Sequence, residues 1–269
     1  MTLLALHLPD GFMSAPLALA GWVLALPALL WSFHQCREGD DQETTLAALL
    51  AAFLFAAQTF HFPVPGGTSG HLVGATLVVI LCGPALGLLT LTSVVVLQAL
   101  VFGDGGLFTM GWNLSNMGLV SGFVGGSLYN ILRKRNAPAF GAALLAGWSA
   151  TLLAALCTGL ELALAGLTPL PLSLGAMLSV QLFMGFGEGL VTAATVSFLA
   201  RTRPQLLHSE KSRSTGPGLV VLAAVGLASL APPAVYGMES GQYPGVLAYL
   251  GVLGVTLLAG GVLVLWGRR

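Results

Sequence analysis

Charge is what this sequence has least of. Only 7% of its 269 residues are Asp, Glu, Lys or Arg, against roughly 25% in soluble domains, so water is not the main solvent of the folded chain. Ten basic and ten acidic residues cancel, and no basic stripe or tail occurs, which excludes nucleic acid as a partner. Cysteine is as sparse: Cys36, Cys82 and Cys157 lie far apart, two of them inside apolar runs, so neither a disulfide framework nor a Cys-x-x-Cys thiolate site is supported, and small apolar packing is their expected role. No Gly-x-x-x-x-Gly-Lys-Ser/Thr phosphate loop is present, which excludes ATP hydrolysis of the usual kind. No His-Glu-x-x-His pattern is present either, so an intramembrane zinc hydrolase lacks its signature and an enzyme is not expected. The opening MTLLALHLPDGF has no basic n-region and meets Pro9 and Asp10 before any useful apolar stretch, so it does not read as a cleaved signal peptide.

What fills the chain instead is hydrocarbon. Hydrophobic residues make up 56% of it, and apolar runs of the length needed to cross ~30 Å of lipid recur from end to end. Runs such as 17–30 and 86–97 do not alternate apolar with polar, which argues for helices and against a β-barrel. The expected fold is an all-α, polytopic transmembrane helical bundle. Spans are placed at 12–33, 43–60, 71–82, 84–102, 108–132, 138–165 and 172–200, with two C-terminal spans at 218–230 and 245–266. The 71–82 segment is too short to cross alone at 1.5 Å per residue, which predicts a half-helix lying against other protein or one extended past Gly83 and Pro84.

The excess of Lys and Arg in cytoplasmic loops orients the bundle. With the N-terminus outside and the C-terminus cytoplasmic, Arg37, then Arg133, Lys134 and Arg135, then Arg201, Arg203, Lys211 and Arg213, and finally Arg268 and Arg269 all fall on one side. A single long helix over 71–102 would expel the Arg133 cluster, so the charge pattern asks for a turn at Gly83-Pro84. Under this topology His7, Asp10, His61, His71, Asp104 and Glu239 share the outer face, while His34 and His208 lie in cytoplasmic loops.

Imidazole is a good ligand for nickel, zinc and related ions, and HFPVPGGTSGH sets His61 and His71 on one loop whose Gly and Pro residues keep it out of helix. A plain tight loop is the alternative. Asn113 and Asn116 lie three apart on one helical face inside a span and need polar partners there. Glu161 and Glu188 sit in apolar runs, either as a proton relay or as groups protonated or bonded to backbone. Met110, Met117 and Met184 form no cluster at ligand spacing and are read as packing.

Taken together, HLPDGFMSAP, HFPVPGGTSGHLVGATL, LQALVFGDGG and GWNLSNMG resemble the CbiM/NikM family over about residues 7–203. The resemblance implies the substrate-capture subunit of an energy-coupling factor importer whose transported ion is Co2+ or Ni2+, with no resident cofactor. It also implies a cell membrane of prokaryotic type, membrane lipid around the spans, a transmembrane coupling subunit and a pair of cytoplasmic ATPases. The family pattern begins Met-His-x-x-Asp-Gly, and there the terminal amine, the following amide nitrogen and the imidazole chelate the metal with a later loop histidine as fourth ligand. His7 and His71 match those histidines, and four nitrogens in a plane suit Ni(II), whereas magnesium wants six oxygens.

Two departures matter. MTLLAL precedes His7, and Leu6 stands where the family has its initiator methionine. Leucine is what a UUG or CUG start codon becomes when read as internal, so the expectation is that Leu6 serves as a new N-terminus, with proteolytic trimming as a second route. Retention of residues 1–5 in an intact-mass measurement of the native protein rejects the first route. The second departure is His61 in place of an expected Asn, which opens a His7, His61, His71 site accepting zinc or cobalt as readily as nickel, or else a loop histidine bonded to backbone.

Further matches assign supporting roles. Asp10 is expected to fix its own Pro-Asp-Gly turn rather than to bind metal. Asn113 and Asn116 resemble the family amides around the chelating loop, with interhelical bonding as the alternative. Glu188 falls in the glycine-packed block GFGEGL, and Gln181 stands where the family often has histidine. Residues 1–203 are thus read as the metal-capture domain and 204–217 as a cytoplasmic linker. Residues 218–269 are read as a two-span module resembling the CbiN-like accessory subunit in cis, through Gly237 and Glu239. A secondary transporter coupled to protons through Glu161 or Glu188 is the rival reading.

Overall fold

The computed structural model describes residues 7–37, 41–59, 62–64 and 68–207. In chain order they form α1 (Ala15–Gln35), α2 (Asp41–Thr59), β1 (Phe62–Val64), β2 (Thr68–Gly70), α3 (Ala75–Phe102), α4 (Met110–Leu114), a π-helical stretch (Ser115–Val124), α5 (Gly125–Lys134), α6 (Ala139–Leu164), α7 (Leu170–Thr202) and a 3-10 turn (Pro204–Leu206). The two spans expected at 218–230 and 245–266 lie outside the described residues, as does the linker beyond 207. Pro16 and Pro171 start α1 and α7 at positions where a missing N–H costs nothing, and Pro138 and Pro169 precede α6 and α7 in extended geometry.

Four of the described helices, α1, α3, α6 and α7, are long and apolar enough to cross a membrane. Their outward surfaces support that solvent. Val23 and Phe33 on α1 and Phe183 and Phe198 on α7 stand exposed, Phe183 to 77%. Lipid tails provide no hydrophobic drive between helices, so the helices must gain contact by close approach of small residues. Ala142, Ala143, Ala146, Ala150 and Ala154 make the fully buried face of α6, and a Cβ placed on Gly147 would lie 3.2 Å from Gly189 Cα, so α6 and α7 meet backbone to backbone.

The apolar run 75–102 is not one straight helix. Gly83 breaks it at φ 79°, ψ 170°, a conformation open to glycine, and Pro84 follows with no N–H to continue the ladder. A Cβ on Gly87 would stand 3.2 Å from Val79 Cα, yet eight residues of straight helix span ~12 Å, so the chain doubles back here. The turn falls where the distribution of Arg and Lys places it. All of residues 75–83 are buried, so the first arm is a half-helix enclosed by protein.

The bundle is all-helical, and the one extended feature among the described residues lies in a loop. The Pro- and Gly-rich loop pairs with itself as a short antiparallel ribbon, Phe62 opposite Gly70 and Val64 opposite Thr68, because backbone kept out of helix still has to bond its N–H and C=O groups. The basic residues collect at the C-terminal ends of alternate strokes of the chain: Arg37 after α1, Arg133 to Arg135 at the end of α5, and Arg201 and Arg203 at the end of α7. There they also complement the helix dipoles.

Candidate metal centre

Three loops converge at the opposite end of α1: residues 7–14, residues 71–74 ahead of α3, and residues 103–109 ahead of α4. They carry His7 and His71 into contact. Both imidazoles are buried, at 2% and 1% exposure, with ring centroids 4.8 Å apart and planes inclined by 57°. His71 Nδ1 lies 3.0 Å from Leu72 O, a carbonyl that can only accept, so Nδ1 holds the proton and Nε2 keeps its lone pair. Asp104 Oδ1 stands 3.2 Å from His7 Nδ1, within ion-pairing distance. Neither ring nitrogen of His7 has a hydrogen-bond partner among the described residues. A buried nitrogen left so is costly unless it has a task.

The position of His7 is set by the residues after it. Asn113 grips the Leu8 peptide from both sides: Leu8 N donates to Asn113 Oδ1 at 2.7 Å, and Asn113 Nδ2 donates to Leu8 O at 3.1 Å. Leu8 O also accepts from Thr109 Oγ1 and from Gly106 N. Asp10, expected to bond within its own turn, reaches across instead. Its carboxylate accepts from Leu107 N at 2.9 Å, Phe108 N at 2.8 Å and Thr109 N at 3.2 Å, the unsatisfied donors ahead of α4. A Cβ on Gly106 would collide with Asp10 Oδ1, which is why glycine stands there. Asp10→Ala deletes three charge-assisted bonds, and metal affinity measured by calorimetric titration is expected to fall about 10- to 100-fold, with Asp10→Asn intermediate.

On the other side, Gln58 Nε2 donates to Val73 O at 2.7 Å, and the Glu188 carboxylate accepts from Val73 N and Gly74 N. Glu188 is thus bonded to backbone on both oxygens. Asn116 parts company with Asn113: its Nδ2 donates to Glu161 Oε2 at 2.7 Å and to Thr158 Oγ1 at 3.2 Å, an interhelical bond rather than a clamp on the loop. Gln181 is buried with its Oε1 unbonded among the described residues. Met110 and Met117 pack in the core, Cys36, Cys82 and Cys157 are free thiols, and His34 is exposed. Leu6 and His61 lie outside the described residues.

Among the described residues no group of three His, Cys, Asp or Glu side chains is arranged to hold an ion. Two imidazoles are in place. Asp104 was missed as a site residue: FGDGG marks its block, but only the fold reveals that the loop folds back over His7. What the pair can do chemically is offer neutral nitrogen to a borderline divalent ion, with an anionic oxygen beside it.

Known proteins share this arrangement of sequence. The chain is 31% identical to the fused nickel transport protein NikMN of Rhodobacter capsulatus, covering 82% of this chain and 72% of that protein. It is 32% identical to the cobalt transport protein CbiM of Sorangium cellulosum, over 79% of this chain and 99% of that one. The fold superimposes on a crystal structure of a truncated transition metal transporter with a TM-score of 0.67 at 30% identity, over 73% of this chain and 99% of that chain. The family model described as the cobalt uptake substrate-specific transmembrane region matches residues 7–206, from the first buried histidine to the end of the 3-10 turn after α7, and the chain belongs to that family, CbiM.

Proposed function

We propose that this chain is the substrate-binding membrane subunit of an ATP-driven energy-coupling factor importer for Co2+ or Ni2+, and that it captures the ion between His7 and His71 on the extracytoplasmic side. The observation that carries this is the buried pair of imidazoles 4.8 Å apart, with Asp104 beside His7 Nδ1 and no hydrogen bond to His7 Nε2 among the described residues. The ion is cargo. His7 and His71 Nε2 would bind it, and Asp104 would lower the cost of bringing a dication into a buried place. Asp10 and Asn113 would hold the loop so that the nitrogens are preorganised. Remaining donors would come from the chain ahead of His7, with Leu6 as its new N-terminus, or from His61.

Energy would come from a transmembrane coupling subunit and a cytoplasmic ATPase pair, since this sequence has no phosphate loop of its own. The basic ends of α1, α5 and α7 would face the cytoplasm of a prokaryotic cell. Residues 218–269 would act as a CbiN-like module in cis, a reading supported by the fused relative. In cells carrying the partner subunits, uptake of radioactive cobalt or nickel is expected to fall to background when the ATPase pair is deleted, and to persist for minutes after an uncoupler while ATP lasts. Uptake that ignores the ATPases and collapses at once with the uncoupler would instead establish the proton-coupled transporter.

A further inference from the structure

Glu188 has no place in ion binding itself, yet it touches the piece of backbone that carries a ligand. It is 1% exposed and spreads its two oxygens over consecutive amides, Oε2 accepting from Val73 N and Oε1 from Gly74 N, each at 3.0 Å. These are the second and third residues after His71, the cap residue Gly74 and the one before it, directly ahead of the half-helix that begins at Ala75. An anion belongs at a helix N-terminus, where unsatisfied N–H groups converge. Gln58 of α2 secures the carbonyl of the same Val73, and His71 Nδ1 is turned to the carbonyl of Leu72. From His71 to α3, then, the chain is fastened to its own imidazole, to α2 and to α7.

The α7 end of this fastening is unusual in its reach. α7 packs along α6, and Glu188 extends from it to the loop of a distant part of the bundle, with Thr151 of α6 beside the carboxylate. The other intramembrane carboxylate, Glu161, accepts from Asn116 Nδ2 and, among the described residues, bonds no ligand-bearing loop.

We propose that Glu188 is a latch, a positioning residue through which α7 sets the place of the His71 imidazole, so that displacement of α7 releases one nitrogen from the ion. The proposal rests on ion capture by His71. It assigns α7 the task of converting a movement of the bundle into loss of a ligand, the step a capture subunit needs in order to let go.

Glu188→Gln tests it in the full-length protein. The amide keeps the shape but sets its own NH2 against a backbone N–H, so one of the two bonds is lost. In the metal-free protein, hydrogen exchange across residues 71–76 is expected to rise about tenfold while α6 and the rest of α7 keep their protection. In the cobalt-loaded protein, the absorption spectrum per bound ion is expected to shift and Co2+ to dissociate about tenfold faster, with Glu188→Asp recovering part of both changes. Unchanged exchange at 71–76 together with a superimposable spectrum overturns the latch, and so does a rise in exchange throughout the bundle. A His71→Ala protein run in parallel separates the two ideas. If it binds Co2+ as the wild type does, the capture reading falls. If it loses the ion while Glu188→Gln remains like wild type, the latch alone falls.

Discussion

Purified His71→Ala is expected to carry almost no cobalt or nickel where the wild-type protein carries close to one ion per chain, as read by elemental mass spectrometry. The argument is one of ligand number. Among the described residues the site holds two imidazoles, so removing one takes away a large share of the donors available. Loss of an outer partner of a metal ligand typically costs 10- to 100-fold in affinity, and loss of a ligand itself exceeds that, so a fall of at least about 100-fold is expected. Nε2 of His71 is the atom that matters, because Nδ1 is committed to Leu72 O. His34→Ala is the matched control: it removes an exposed imidazole near the far end of α1 and should leave metal content unchanged. Equal metal in His71→Ala and wild type would remove the assigned ligand.

Much of the bundle was legible in the sequence because lipid imposes a simple code. Apolar runs had to be helices, and the helices fall within a few residues of the expected spans: 138–165 became Ala139–Leu164, and 108–132 became the continuous helical course from Met110 to Lys134. The break at Gly83 was readable because the charge distribution and the Gly-Pro pair agreed. The ribbon at Phe62–Val64 and Thr68–Gly70 was not, since Pro and Gly announce only that helix is refused and leave open how the freed backbone groups find partners.

The centre divides along similar lines. His7 and His71 could be picked out by residue type and by the blocks around them. Asn113 was expected near the chelating loop from the blocks alone, but the partners of Asp10 and Glu188 were not, because they join positions about a hundred residues apart: Asp10 with Leu107 to Thr109, Glu188 with Val73 and Gly74. Asn113 and Asn116 show how local reasoning runs out. Three residues apart on a π-helical boundary, they point to different partners, one to the His7 loop and one to Glu161 on α6. A π-helical stretch from Ser115 to Val124 shifts side chains off the 3.6-residue repeat, so sharing a face in an ideal helix did not mean sharing a task.

Gly111→Ala is expected to damage both stability and ion capture, by separating α1 from α4. The two elements approach backbone to backbone at Gly21 and Gly111. A Cβ on Gly111 would lie 2.8 Å from Gly21 O and closer still to Trp22 N, and a Cβ on Gly21 would lie 2.6 Å from Trp112 N. These neighbours are backbone atoms, which cannot rotate away as the tip of a leucine can, so α1 itself must shift. The shift is transmitted to the site because two tryptophans tie the crossing to the loops around it. Trp112 Nε1 donates to Leu17 O at 2.7 Å, and Trp22 Nε1 donates to Phe108 O at 3.1 Å, next to the amides that Asp10 holds. Overpacking of this kind costs about 1–3 kcal/mol. The thermal midpoint in detergent should fall by several degrees, and nickel affinity should fall with it because the His7 loop loses its seat against residues 106–109. Gly141→Ala, on α6 with no neighbour within 4 Å of the added methyl, should leave both unchanged. If Gly111→Ala melts and binds like Gly141→Ala, close approach of α1 and α4 does not position the loop, and the seat of His7 must be set by Asp10 and Asn113 alone.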